Sequence, residues 1–82
     1  MEILILGPGC TKCKKTEEYC RNVVAKLGIK STVTHEQDIR KFADYGVMLT
    51  PAVVIDGKLT CQGKVPTEKE IEEMITAAEK NI

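Results

Sequence analysis

Apolar and polar positions alternate between two periods along this chain of 82 residues. Ile3-Leu4-Ile5-Leu6 is a continuous branched run that stops at Gly7-Pro8-Gly9, so Glu2–Leu6 is predicted as a strand covered on both faces. From Thr11 to Leu27 the period becomes helical. Cys13, Thr16, Cys20, Val23, Val24 and Leu27 fall in one stripe, while Lys14, Glu17, Glu18, Arg21 and Lys26 take the other faces. Gly28 is a suitable helix stop. Lys30–His35 contains Thr32, Val33 and Thr34, β-branched residues that predict a second strand. Gln37–Tyr45, with Ile39, Phe42 and Ala43 at helical offsets, predicts a short helix before Gly46. Ala52-Val53-Val54-Ile55 is the second strongly apolar strand, and Asp56-Gly57 is a hairpin signal that returns the chain through Lys58–Gln62. Pro66-Thr67 opens the last helix, with Thr67 and Glu70 spaced as a capping box and Ile71, Met74, Ile75 and Ala78 as its inner stripe.

The order is βαβαββα. A strand–helix–strand unit takes a right-handed crossover, which makes the first two strands parallel, and the Asp-Gly turn makes the last two antiparallel. The expectation is an α/β fold: one domain over residues 1–82, with a four-stranded mixed sheet flanked by three helices. The length suits one compact domain with a thin core.

Lysine plus arginine and aspartate plus glutamate number 12 each, so nothing in the balance favours nucleic acid or another polyanion. The distribution is uneven. Residues 1–41 carry eight basic and five acidic side chains, and residues 42–82 carry four and seven. Lys12, Lys14 and Lys15 supply the positive excess. No apolar run nears the roughly 20 residues that span a bilayer, and Met1-Glu2-Ile3 does not begin like a secretory signal. A cytoplasmic location without membrane association is therefore the expectation. Four cysteines in such a setting point to redox or metal chemistry rather than a disulfide framework.

The chemistry concentrates in Gly7-Pro8-Gly9-Cys10-Thr11-Lys12-Cys13. Strand, tight turn, Cys-x-x-Cys and helix follow one another, which puts Cys10 at a helix N-terminus. There, backbone N–H groups lack intrahelical partners and favour a negative sulfur. A thiolate is the species that attacks disulfides. The same pair of thiolates can also hold a soft ion such as Zn²⁺ or Cu⁺, so on spacing alone metal binding stands as the alternative. Lys12 is a candidate for tuning the potential or guiding acidic partners. Cys20, on the apolar stripe, reads as a small buried hydrophobe. Cys61 reads as structural or incidental, with a Cys20–Cys61 disulfide or a regulatory thiol as the alternatives. His35, among acids and threonines, reads as a surface residue.

Two stretches together carry a resemblance. Gly7-Pro8-Gly9-Cys10-Thr11-Lys12-Cys13 and, about 40 residues on, Thr50-Pro51-Ala52-Val53-Val54-Ile55-Asp56-Gly57-Lys58 resemble the thioredoxin superfamily, most closely its small, glutaredoxin-sized, redox-active disulfide type. The resemblance implies a thiol–disulfide oxidoreductase of protein disulfides, with Cys10 attacking and Cys13 resolving. It implies a cis bond at Thr50–Pro51, in a loop that binds substrate polypeptide beside the reactive sulfur. It also implies no cofactor beyond the Cys10–Cys13 disulfide. The partners it implies are disulfide-containing clients and a thioredoxin-reductase-like electron donor, for a monomer that uses no metal. The chain departs from the pattern in three places. Gly9 stands where thioredoxins commonly carry an aromatic residue. The first strand lacks the buried acid of larger thioredoxins. Cys61-Gln62-Gly63-Lys64 replaces the glycines and acid with which glutaredoxins hold glutathione, which argues against glutathione binding.

Overall fold

The computed structural model describes residues 1–9 and 11–80, with the side chain of Lys80 left aside. Strands β1 (Glu2–Leu6), β2 (Thr32–Glu36), β3 (Ala52–Ile55) and β4 (Lys58–Gln62) form one sheet in the order β2-β1-β3-β4. The helices are α1 (Thr11–Leu27), α2 (Ile39–Phe42), which runs on into a 3-10 turn at Ala43–Tyr45, and α3 (Glu68–Lys80). β1 pairs in parallel with β2 and antiparallel with β3, and β3 pairs antiparallel with β4. This is the expected thioredoxin-like α/β architecture, a four-stranded mixed sheet with three helices.

The sheet divides the core in two because successive side chains on a strand point to opposite faces. One side joins Ile3, Ile5, Val53 and Ile55 to Cys20 and Val23 of α1 and to Ile71 and Ile75 of α3. The other gathers Leu6, Ala52 and Val54 with Phe42 and Val47. Ile71 and Ile75 are fully enclosed, each worth about 1.5–3 kcal/mol against leaving it exposed. The acidic face of α3 also ties the helices together: Asn22 donates to Glu68 and Lys26 to Glu72.

Local signals explain most boundaries. Thr67 and Glu70 exchange both capping-box bonds at 3.1 Å, fixing the start of α3. Asp56 and Gly57 both adopt positive φ, 51° and 82°, as a two-residue turn that matches the twist of its strands requires. Three boundaries differ from the sequence expectation, one of them the end of β2, at Glu36 rather than His35. β2 starts at Thr32 rather than Lys30, because its register is set by Glu2↔Thr32 pairing and by Thr32 donating to the Met1 carbonyl. The short helix begins only at Ile39, because the Asp38 carboxylate caps it by accepting from the Arg40 N–H. That start leaves Ile39 68% exposed while Phe42 alone anchors the turn in the core.

Candidate functional site

The C-terminal end of β1, the first turn of α1 and the loop before β3 meet at one point. Register explains why. Leu6 pairs with Ala52, so the next residue of each strand end, Gly7 and Pro51, face each other across the sheet's edge. The Thr50–Pro51 peptide is cis. Cys13 is the third residue of α1, and its side chain is fully enclosed on the inner stripe.

Gly7 is the floor of this junction. A Cβ placed on it would fall onto the Cys13 Sγ, 3.2 Å from the Cys13 Cβ and 3.9 Å from the Pro51 Cα. Only a residue without a side chain lets the strand end, the cysteine and the proline pack so closely. The Gly7 backbone is held on both sides by β2. Its N–H donates to the Glu36 carbonyl at 3.1 Å, and its own carbonyl lies 3.1 Å from His35 Nε2. His35 Nδ1 is in turn 3.2 Å from Glu17 Oε1 on α1, and Arg21 bonds the other oxygen of that carboxylate at 3.1 Å. His35 is therefore not a surface residue. It alternates with Thr34 and Glu36 along β2 and shares the face of Val33, which looks toward α1.

The loop before Pro51 is fixed from β4. Gln62 Oε1 accepts from the Met48 and Leu49 N–H groups at 2.9 and 3.2 Å, and Gly63 N–H donates to the Pro51 carbonyl at 3.0 Å. These bonds hold Met48 and Leu49 outward, 88% and 61% exposed, next to an exposed Thr50. Sequence reading missed Gln62, His35 and Glu17. The period-2 position of His35 opposite a helix was the one available signal.

Of the site residues expected from sequence, Cys13 and Pro51 come together at Gly7, Thr50 is exposed just before Pro51, and Lys12 is exposed on the first turn of α1. Cys10 lies outside the described residues, as does any Cys10–Cys13 geometry. Lys12 contributes its carbonyl to Thr16, whose hydroxyl donates to it at 2.9 Å and so satisfies the one buried polar side chain recorded among the described residues. Among those residues no three histidine, cysteine or carboxylate side chains are placed to share a metal ion.

The other two cysteines sit in a different environment. Cys20 is enclosed by the aliphatic core, and its thiol is pushed up to about 12 by burial, with the neighbouring Cys61 and Glu17 adding to the effect. Burial also raises the Cys61 thiol, against a lowering contribution from Lys64. Both are thiols rather than partners in a disulfide. Cys61 lines an open groove of about 390 Å³ between β4 and α3, together with Thr60, Lys64, Pro66, Glu70 and Met74, and this groove includes none of Lys12, Cys13, Thr50 or Pro51.

Comparison with known proteins agrees with this geometry. The family model for the thioredoxin domain matches residues 1–76. A thioredoxin of Methanocaldococcus jannaschii is 37% identical over 71 residues, covering 87% of this chain and 81% of that protein. A thioredoxin of Methanothermobacter thermautotrophicus is 29% identical over 76 residues, covering 93% and 99%. The chain belongs to the thioredoxin domain family and is a thioredoxin-like redox protein.

Proposed function

We propose that the protein reduces disulfides in client proteins through the Cys10-x-x-Cys13 dithiol. The observation that carries this reading is the convergence of Cys13, Gly7 and the cis Thr50–Pro51 loop at the N-terminal end of α1. A 17-residue helix begins directly after Cys10 in the sequence, and its first N–H groups favour a thiolate there. Cys10 attacks a client disulfide, forming one S–S bond and releasing one client thiolate. Cys13 then attacks Cys10, the mixed disulfide breaks, the second client thiolate leaves and takes a proton, and the pair ends as the Cys10–Cys13 disulfide. Two electrons have passed to the client, and an external dithiol reductase returns them.

Thr50 and Pro51 bind the client chain in this scheme, and exposed Met48 and Leu49 give it an apolar surface in the same loop. The experiment is insulin-disulfide reduction with a supplied reductant, run on wild type, Cys10→Ser and Cys13→Ser. Turnover should fall to background in both variants, with a covalent protein–insulin adduct accumulating in Cys13→Ser alone. Undiminished turnover in Cys10→Ser would refute the assignment of the nucleophile.

A further inference from the structure

The His35 ring has two neighbours that can only accept. Nδ1 faces a carboxylate oxygen of Glu17 at 3.2 Å, and Nε2 faces the Gly7 carbonyl at 3.1 Å. A neutral imidazole has one N–H and can satisfy one of them, whereas the imidazolium donates to both. The side chain is 13% exposed and that of Glu17 27%, so the contacts are only partly screened by solvent. The carbonyl that receives the second bond belongs to the glycine that packs directly on the Cys13 sulfur. A chain of contacts thus runs from Arg21 through Glu17 and His35 to Gly7 and ends at Cys13.

We propose that His35, held by Glu17, is a positioning residue for Cys13: it fixes the Gly7 peptide against the sulfur and, when protonated, places a cationic donor one residue away from it. The proposal rests on the dithiol function above and names what favours the Cys13 thiolate in the resolving step. Cys13 must lose its proton before it attacks Cys10, and no carboxylate is recorded among the buried polar side chains of the described core. The ring, when protonated, stabilises the negative sulfur and leaves the stoichiometry unchanged: the Cys13 proton goes to solvent and the departing client thiolate takes one up.

The charged and titratable groups around the ring can be named. Glu17 and Arg21 face it from α1, and the Gly7 carbonyl faces it from the end of β1. On its own strand, the neighbouring Glu36 is engaged elsewhere, with Lys41 and the Asp38 N–H.

The test separates the two thiol steps. Reduced protein is mixed with one equivalent of the aromatic disulfide dithiobis(nitrobenzoate) near neutral pH. Its coloured thiolate leaves once when Cys10 attacks and again when Cys13 resolves. In His35→Gln the second phase should slow several-fold, because fewer Cys13 sulfurs are ionised while each remaining thiolate is somewhat more nucleophilic, and the first phase stays within about twofold. His35→Lys, which keeps a cationic donor, should recover most of the second-phase rate. A purely structural role would lower the unfolding midpoint and leave the second phase of folded protein unchanged. An unchanged second phase in folded His35→Gln overturns the proposal. Should that variant not fold, Glu17→Gln decides: slowing of the second phase supports the proposal, and a wild-type rate overturns it. A wild type with no colour release at all would overturn the dithiol function itself, and the proposal with it.

Discussion

Cys13 and Cys20 are seven residues apart on the same stripe of α1, and both are fully enclosed, yet their surroundings have little in common. Cys20 is packed among Ile3, Ile5, Val23, Val53 and Ile71, where a charged sulfur has nothing to solvate it and the thiol is pushed up to about 12. Cys13 lies at the sheet's end, against a glycine whose N–H and carbonyl are both engaged, beside a proline loop and behind a Glu17–His35 pair. Low exposure alone therefore does not make these two cysteines alike. What separates them is whether the enclosing atoms are aliphatic carbon, or backbone and charge that can respond to a developing thiolate.

The largest effect that would break this contrast is expected from Gly7→Ala. The new Cβ would overlap the Cys13 sulfur, with the cysteine's own Cβ and the backbone of Pro51 close by, and none of these can move away cheaply. Overpacking of this kind costs about 1–3 kcal/mol, read as a lower denaturant midpoint at unchanged slope. The same substitution should slow insulin reduction, because the strain falls on the Cys13 sulfur rather than on the core around Cys20. Loss of stability with wild-type turnover would mean that Cys13 tolerates displacement and that the close packing is not functional.

The sequence made most of the fold legible and about half of the site. Periodicity, the Gly7-Pro8-Gly9 break and the Asp56-Gly57 turn specify elements by local geometry, so the element order and the capping box could be anticipated from neighbouring residues. The shifted ends of β2 and of the short helix could not. One follows from pairing with Met1 and Glu2, which are distant in sequence, and the other from a single carboxylate choosing the Arg40 N–H. Distance along the chain also hid His35, Glu17 and Gln62. Each acts through a partner 13 or more residues away: Gln62 reaches back to Met48 and Leu49, and His35 bridges α1 and the end of β1. Beyond its period-2 place in a strand, a histidine among acids and threonines carries no local mark of that role. Cys20 was legible as a buried hydrophobe because a helical stripe is itself a local pattern.

A smaller effect, confined to Cys20, sharpens the other side of the comparison. Its folded thiol is raised from about 9 toward about 12. Below pH 9 the thiol is protonated whether or not the chain is folded, and the group then adds no pH dependence. As pH rises above that value the unfolded chain loses the proton while the folded one keeps it, so stability falls with pH up to about 12. One group can contribute a slope of at most about 1.4 kcal/mol per pH unit. Cys20→Ala should cost on the order of 1 kcal/mol near neutral pH through the small cavity it leaves. It should also lose stability less steeply than wild type in alkaline solution, in urea unfolding series compared pH by pH. Insulin reduction should persist in Cys20→Ala. Parallel alkaline slopes in the two proteins would show that Cys20 is not the insulated thiol its surroundings indicate.

The smallest effect is expected at Lys12, where the two halves of the chain differ in charge rather than in packing. Lys12, Lys14 and Lys15 are exposed at the start of α1, and exposed charges act through water of high dielectric. Their influence on stability should stay within about 1 kcal/mol, the usual bound for surface pairs. Lys12→Ala should therefore leave the unfolding midpoint nearly unchanged. Its influence on rate depends on the substrate: a disulfide peptide with acidic flanks should react a few times more slowly with Lys12→Ala than with wild type, and one with basic flanks should not. Added salt should erase the difference, since at 1 M ionic strength screening acts within about 3 Å. A rate loss that persisted at high salt, and for both peptides alike, would place Lys12 among the groups that touch the reacting sulfurs, and the boundary between Cys13's responsive surroundings and plain solvent would have to be drawn one residue further out.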